Sequence, residues 1–167
     1  VYRYKDYQNP GQVSTKPDTV ARYNLYSFRY EEIYTYQEQR HTEGYYQSKE
    51  ISHVTAYGDY VFFYERLEAS GSDTIKSRTF LRRFQISTHE LKTMAEVKSF
   101  PDELQIWNDR IYILRDDSGL FCYDLDLKNK EIMIDFSLEK YANMRISMLQ
   151  YESYSKTIYF LSEPREL

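Results

Sequence analysis

The sequence predicts an all-β chain of four-stranded antiparallel repeats, and three observations carry that prediction. First, Val61-Phe62-Phe63-Tyr64, Ile111-Tyr112-Ile113-Leu114 and Ile158-Tyr159-Phe160-Leu161 share one pattern, at offsets of 50 and 47 residues. Second, each follows a polar turn (Gly58-Asp59, Asn108-Asp109, Ser155-Lys156), and a further β-like stretch precedes each turn, over residues 51–57, 104–107 and 146–151. Strand, turn, strand therefore recurs three times as a hairpin. Third, Ile132, Ile134, Phe136 and Leu138 alternate strictly with Met133, Asp135 and Ser137, the period of a strand with one buried face. A β-sandwich or barrel is the alternative all-β arrangement.

Taken in order, residues 1–19 form an N-terminal arm, marked by Pro10-Gly11 and Pro17-Asp18. Residues 20–167 form the folded region, with approximate units at 20–50, 51–100, 101–145 and 146–167. In the first unit, 23–37 and 44–49 read as strands around a polar turn at 40–43. The second unit runs 51–57, 61–65, a polar excursion over 69–76, 78–86, a turn at 87–90, and 91–97. Its last segment also suits a helix, because Leu91, Met94, Ala95 and Lys98 keep helical spacing and Ser87 and Glu90 stand at capping-box distance. Alignment with the alternating 132–138 segment favours a strand. The third unit is the clearest: 111–115, the turn Asp116-Asp117-Ser118-Gly119, a strand over 120–127, the turn Lys128-Asn129-Lys130, and 132–138. The fourth is expected to stop halfway.

These units, with their aromatic second strand and a third strand Tyr123-Asp124-Leu125-Asp126-Leu127 running into a Lys/Asn turn, resemble β-propeller blades. The resemblance spans residues 50–161 and is best over 109–136, where it is similar to the bacterial TolB-like and related uncharacterised propellers. Neither a WD dipeptide nor a Kelch double glycine is present. The resemblance implies a radial scaffold that binds proteins or ligands at one end of its axis, with enzymes a minority. It carries over no catalytic residue, because the matching positions are structural. About three and a half units would leave open sheet edges, so the resemblance implies either a longer polypeptide or a second chain that closes the ring.

Composition narrows the chemistry. With 41% hydrophobic and 29% charged residues the chain can build a core, and a net charge of −4 gives no general affinity for nucleic acid. No apolar run reaches the roughly 18 residues of a transmembrane helix. The single cysteine, Cys122, can form neither an internal disulfide nor a thiolate zinc site. The sequence opens at Val1 without a basic-then-apolar leader and reads as a processed or partial product, which leaves the compartment open; an extracytoplasmic one fits if a signal peptide was removed. His41, His53 and His89 lack metal-ligand spacing, and Asp124, Asp126, Asn129 and Glu131 lack the glycine of a calcium loop. Ser137 and Lys140 have the Ser-x-x-Lys spacing without its companion motifs. No metal or cofactor is expected.

The expected function is therefore non-catalytic binding or scaffolding, through a protein partner or self-association. Thirteen of the 19 tyrosines lie in residues 1–64, and tyrosine supplies large contact area at small entropic cost. The candidate contacts are Tyr2, Tyr4, Tyr7, Tyr34, Tyr36, Tyr45 and Tyr46, on the arm and first hairpin. The alternative is a carbohydrate-active propeller or glycan-binding module, with turn carboxylates such as Asp116 and Asp117 flanking a sugar. A third reading uses Arg78, Phe80 and Arg82, with Arg83 and Phe84, as a cationic and stacking strand for an anionic polymer or nucleic acid.

Overall fold

The computed structural model describes residues 19–35, 39–41, 44–70, 77–141 and 143–164. They form strands and turns without a helix, and so none long and apolar enough to cross a membrane. The chain divides into two compact units between Lys98 and Ser99.

The first unit holds β1 (Thr19–Asn24), β2 (Arg29–Thr35), β3 (Gln39–His41), β4 (Gly44–Tyr57), β5 (Tyr60–Ser70), β6 (Ser77–Gln85) and β7 (Glu90–Val97). β1 and β2 form a two-stranded sheet, and β3 to β7 a meander in chain order. In the second unit, β8 (Glu103–Trp107), β9 (Arg110–Arg115), β10 (Gly119–Asp124) and β11 (Glu131–Asp135) make a four-stranded meander, and β12 (Met144–Glu152) pairs with β13 (Thr157–Pro164). Every pairing is antiparallel. The fold is thus all-β, in repeat-like antiparallel sheets of two, five, four and two strands, of which β8 to β11 alone has the expected four, and residues 91–97 are strand.

Turn chemistry accounts for the hairpins. Tyr57 faces Tyr60 across a two-residue loop with Gly58 at φ 57°, while Asn108 and Asp109 both take positive φ between Trp107 and Arg110. These loops match the twist of the flanking strands, which is why Gly or Asn-Asp is needed there. The structure corrects three strand limits. The segment 23–37 is broken at 25–28, because Asn24 Oδ1 accepts the amides of Tyr26 and Ser27, both at 2.9 Å, and pulls the chain into a turn. The segment 120–127 stops at Asp124, whose carboxylate accepts the amides of Asp126 and Lys128 and the Asn129 side chain. The segment 132–138 stops at Asp135, which accepts the Ser137 amide at 2.9 Å. In addition, 44–57 is one continuous strand.

In each unit an apolar layer lies where a two-stranded hairpin covers a larger sheet. In the first, Val20, Ile33 and Tyr34 pack on Ile51, Val61, Phe63 and Phe84. In the second, Ile146, Leu149 and Ile158 pack on Leu114, Leu120, Phe136 and Trp107. Tyr34 meets the Phe63 ring at 5.0 Å, and Trp107 stacks on Tyr151 at 5.5 Å. β5 is buried on both faces, since Phe62 and Tyr64 are as enclosed as Val61 and Phe63.

A structural repeat lies beneath the sequence repeat. β4 slips register against β5 between Ser52 and Thr55, and β12 slips against β13 between Ser147 and Gln150. The partners of the slipped residues, Tyr64 and Phe62 in one hairpin and Leu161 and Tyr159 in the other, are equivalent positions of the aligned motif. Each bulge carries one left-handed residue, His53 at φ 52° and Met148 at φ 57°, and directs the next side chain, Val54 or Leu149, into its core layer.

Candidate binding surface

The β1–β2 hairpin changes character along its length. At the base Val20 is fully buried, and opposite it Tyr34 donates to Glu65 Oε1 at 3.1 Å. Beyond the register shift between Val20 and Ala21, nearly every side chain faces solvent. Tyr23 and Tyr30 form a cross-strand pair, and Arg22 and Glu31 form the next, with Arg22 Nε 2.8 Å from Glu31 Oε2. The tip, Leu25-Tyr26-Ser27-Phe28, presents Leu25 at 76% exposure, Tyr26 at 97% and Phe28 at 75%. Phe28 takes φ 52°, a left-handed position seldom filled by a bulky residue, so the backbone turns there at a cost in strain. The two Asn24 hydrogen bonds hold that turn. Three large apolar side chains are thus displayed on a short loop anchored at its base in a core.

The sequence candidates fall on both sides of the surface. Tyr2, Tyr4, Tyr7 and Tyr36 lie outside the described residues. Tyr45 and Tyr46 belong to β4, paired in register with Ser70 and Ala69 and with Arg40 and Gln39. Tyr34 is half-buried and packs inward against Phe63 and Phe84. Tyr23, Tyr26 and Tyr30 supply the exposed aromatic area instead. The sequence signal for them is Asn24 followed by Ser27, a turn pair inside what otherwise reads as one strand.

The basic strand is also largely internal. Phe80 and Arg82 are buried, and Arg82 Nε lies 3.0 Å from Oε2 of the fully buried Glu65 while its Nη1 donates to Thr93. Arg78 makes a two-pronged pair with Glu96, at 2.9 and 2.6 Å, and the Arg78 hydrogen bond holds the Glu96 carboxyl below the usual carboxylate range. Arg83 lies over the Tyr60 ring at 4.9 Å. Each guanidinium faces a carboxylate or a ring of its own sheet.

Asp116 and Asp117 line a shallow depression of about 380 Å³ with Ser99, Phe100, Asp102 and Arg115. Two of its carboxylates are engaged locally: Asp102 accepts the Asp116 backbone amide, and Asp117 accepts the Ser118 hydroxyl at 2.9 Å. That arrangement fastens the β9–β10 turn to the segment before β8. His53 sits in its bulge with Nδ1 2.9 Å from Ser52 Oγ, and His89 ends the β6–β7 turn at φ 56°. Among the described residues no three His, Cys, Asp or Glu side chains converge on a metal-sized site. Compared with family models, curated proteins and solved structures, the chain matches none.

Proposed function

We propose that this chain is a non-catalytic binding or scaffold protein of propeller-like build that engages a protein partner through the tip of the β1–β2 hairpin. One observation carries the reading: Leu25, Tyr26 and Phe28 are displayed together, almost wholly in water, on a hairpin whose base is held in a core. Exposing three such side chains in one place is unfavourable for the free protein, and large apolar and aromatic groups that become buried are what dominate binding energy. The hairpin also holds its shape before contact, so little entropy is lost on docking. The propeller-like part of the reading is supported by the meander of β8 to β11, by its parallel in β4 to β7, and by β5 being enclosed on both faces.

The test is a photo-crosslinking residue placed at position 26, with a second at the exposed Glu139 as a control. A discrete adduct with one protein at position 26, absent at 139 and lost in the L25S/F28S background, is expected. Equal crosslinking at both positions, or none at 26, would sink the proposal.

A further inference from the structure

We infer that Tyr34, Glu65 and Arg82 are positioning residues that aim the β1–β2 hairpin and its tip at residues 25–28, a role that rests on the function proposed above, since binding at the tip is what makes its direction matter. Three hairpins of the chain carry one and the same bulge. β1 slips register against β2 between Val20 and Ala21, β6 against β7 between Leu81 and Arg82, and β10 against β11 between Leu120 and Phe121. In each, the residue before the slip is buried, and opposite it stand Tyr34, Ala95 and Ile134 in turn.

What differs is how the hairpin is held. β6 is flanked by β5 and β10 by β9, so main-chain ladders fix β6–β7 and β10–β11 within their sheets. β1 and β2 form a sheet distinct from that of β3 to β7, and side chains set the angle between the two. Apolar contact supplies attraction but little direction, because it follows the area buried and not its orientation. A hydrogen bond is directional and weakens steeply as its angle closes. Of the three equivalent positions, only that of β1–β2 carries a hydroxyl.

That hydroxyl meets an acceptor that is itself held. Tyr34 donates to Glu65 Oε1 at 3.1 Å, while Arg82 Nε lies 3.0 Å from Glu65 Oε2, and Glu65 is wholly buried. Arg82 is fixed in turn by Thr93 on β7 and by the Phe80 ring, whose centre is 4.6 Å from the guanidinium carbon. β2, β5, β6 and β7 are thereby joined through one buried carboxylate and its arginine. A buried ion pair costs desolvation that an apolar cluster avoids, and its best-attested use is to select one register or arrangement. Tyr34 stands beside the bulge, where the anchored base gives way to the projecting part of the hairpin, so a small rotation there displaces the tip most.

The test reads the direction of the hairpin without a partner. Nitroxide labels on S27C and K92C, in the whole chain with C122A, report the distance from the tip to β7 by pulsed electron resonance. The parent should give one narrow distance. Y34F keeps the ring and loses the hydroxyl, so the population outside that peak should grow about fivefold, the ratio that one hydrogen bond sustains. E65M/R82M removes the acceptor without leaving a buried charge and should broaden the distance likewise, and Y34F added to it should change nothing more. G58A, which loses stability at the β4–β5 turn, should keep the parent's peak. Circular dichroism establishes that each variant is folded, and the two routes to the same loss guard against one failing. A folded Y34F with the parent's distribution, broadening in G58A equal to that in Y34F, or additive effects of Y34F and E65M/R82M would each overturn the inference. The crosslink at position 26 separates this result from the binding function: with no adduct in the parent but the expected distances, the binding function falls and the aiming of the hairpin stands. With an adduct but distances that Y34F leaves unchanged, the binding function stands and the positioning role falls.

Discussion

Replacing Arg82 by methionine should destabilise the first unit severely, while replacing Arg82 and Glu65 together by methionine should not. Glu65 is fully buried on β5, and its two carboxylate oxygens are held by Arg82 Nε at 3.0 Å and by the Tyr34 hydroxyl at 3.1 Å. Arg82→Met leaves a carboxylate in the interior with one neutral donor, and breaking a buried pair in this way costs about 3–5 kcal/mol. For a chain of this length each kcal/mol moves the thermal midpoint by roughly 2–4 °C, so the single variant should melt about 6–20 °C lower. In E65M/R82M no buried charge remains, and the residual cost is the hydrogen bonding of Tyr34 and Thr93, about 1 kcal/mol for each. The assay is urea denaturation followed by circular dichroism, with Trp107 fluorescence reporting on the second unit through its stack on Tyr151. The double variant should be the more stable by about 1–3 kcal/mol. A double variant as weak as R82M, or an R82M variant within about 1 kcal/mol of the parent, would refute the reasoning.

Further expectations follow from the turns. Asp59 is held below its ordinary carboxyl range first by the Ser87 side chain and then by Gln85, and Asp135 and Glu152 by Ser137 and Ser155. Carboxyls depressed in the folded state contribute stability that is complete above their unfolded values, near 4, and is lost as pH falls through the folded values beneath. Urea midpoints should therefore decline from about pH 5 towards pH 2, less steeply in S87A; a flat profile for the parent contradicts this. Gly119→Ala should cost about 3 kcal/mol or more, since a Cβ there would lie 2.0 Å from the Ile134 carbonyl oxygen at φ 132°. Gly58→Ala, at φ 57° with open space around it, should cost only about 1–2 kcal/mol. Equal thermal midpoints for the two variants would show that the close approach at Gly119 is not what matters. Cys122 is buried and touches Arg110 Nε at 3.2 Å, so a thiol reagent should react with it at a rate that rises in step with unfolding of the second unit; fast labelling in native buffer would argue otherwise.

The strands and their hairpin pairing were legible because both signals are local: a period of two along the strand, and turn residues that tolerate positive φ at Gly58 and Asn108. What escaped is decided by register, which is not local. Tyr34 and Tyr30 lie four residues apart on one strand, yet the first packs on Phe63 and the second faces water, because the bulge at Val20 and Ala21 separates an anchored base from a projecting tip. Nothing in the composition of β2 marks that boundary. Arg82 alternates with Phe80 and Phe84 as a solvated cationic strand would, yet that face lies under the β1–β2 hairpin, where Arg82 pairs with the buried Glu65, which reads in sequence as a strand end. The bulges at His53 and Met148 carry neither glycine nor proline to announce them. The same dependence explains the three aligned motifs, since Phe62 and Phe63 are buried where Tyr159 and Phe160 are exposed. Tyrosine and phenylalanine fit a buried strand and a half-wet edge equally well, so Val61-Phe62-Phe63-Tyr64 and Ile158-Tyr159-Phe160-Leu161 cannot be told apart by residue type. Whether such a segment is buried or exposed is a property of the strand beside it.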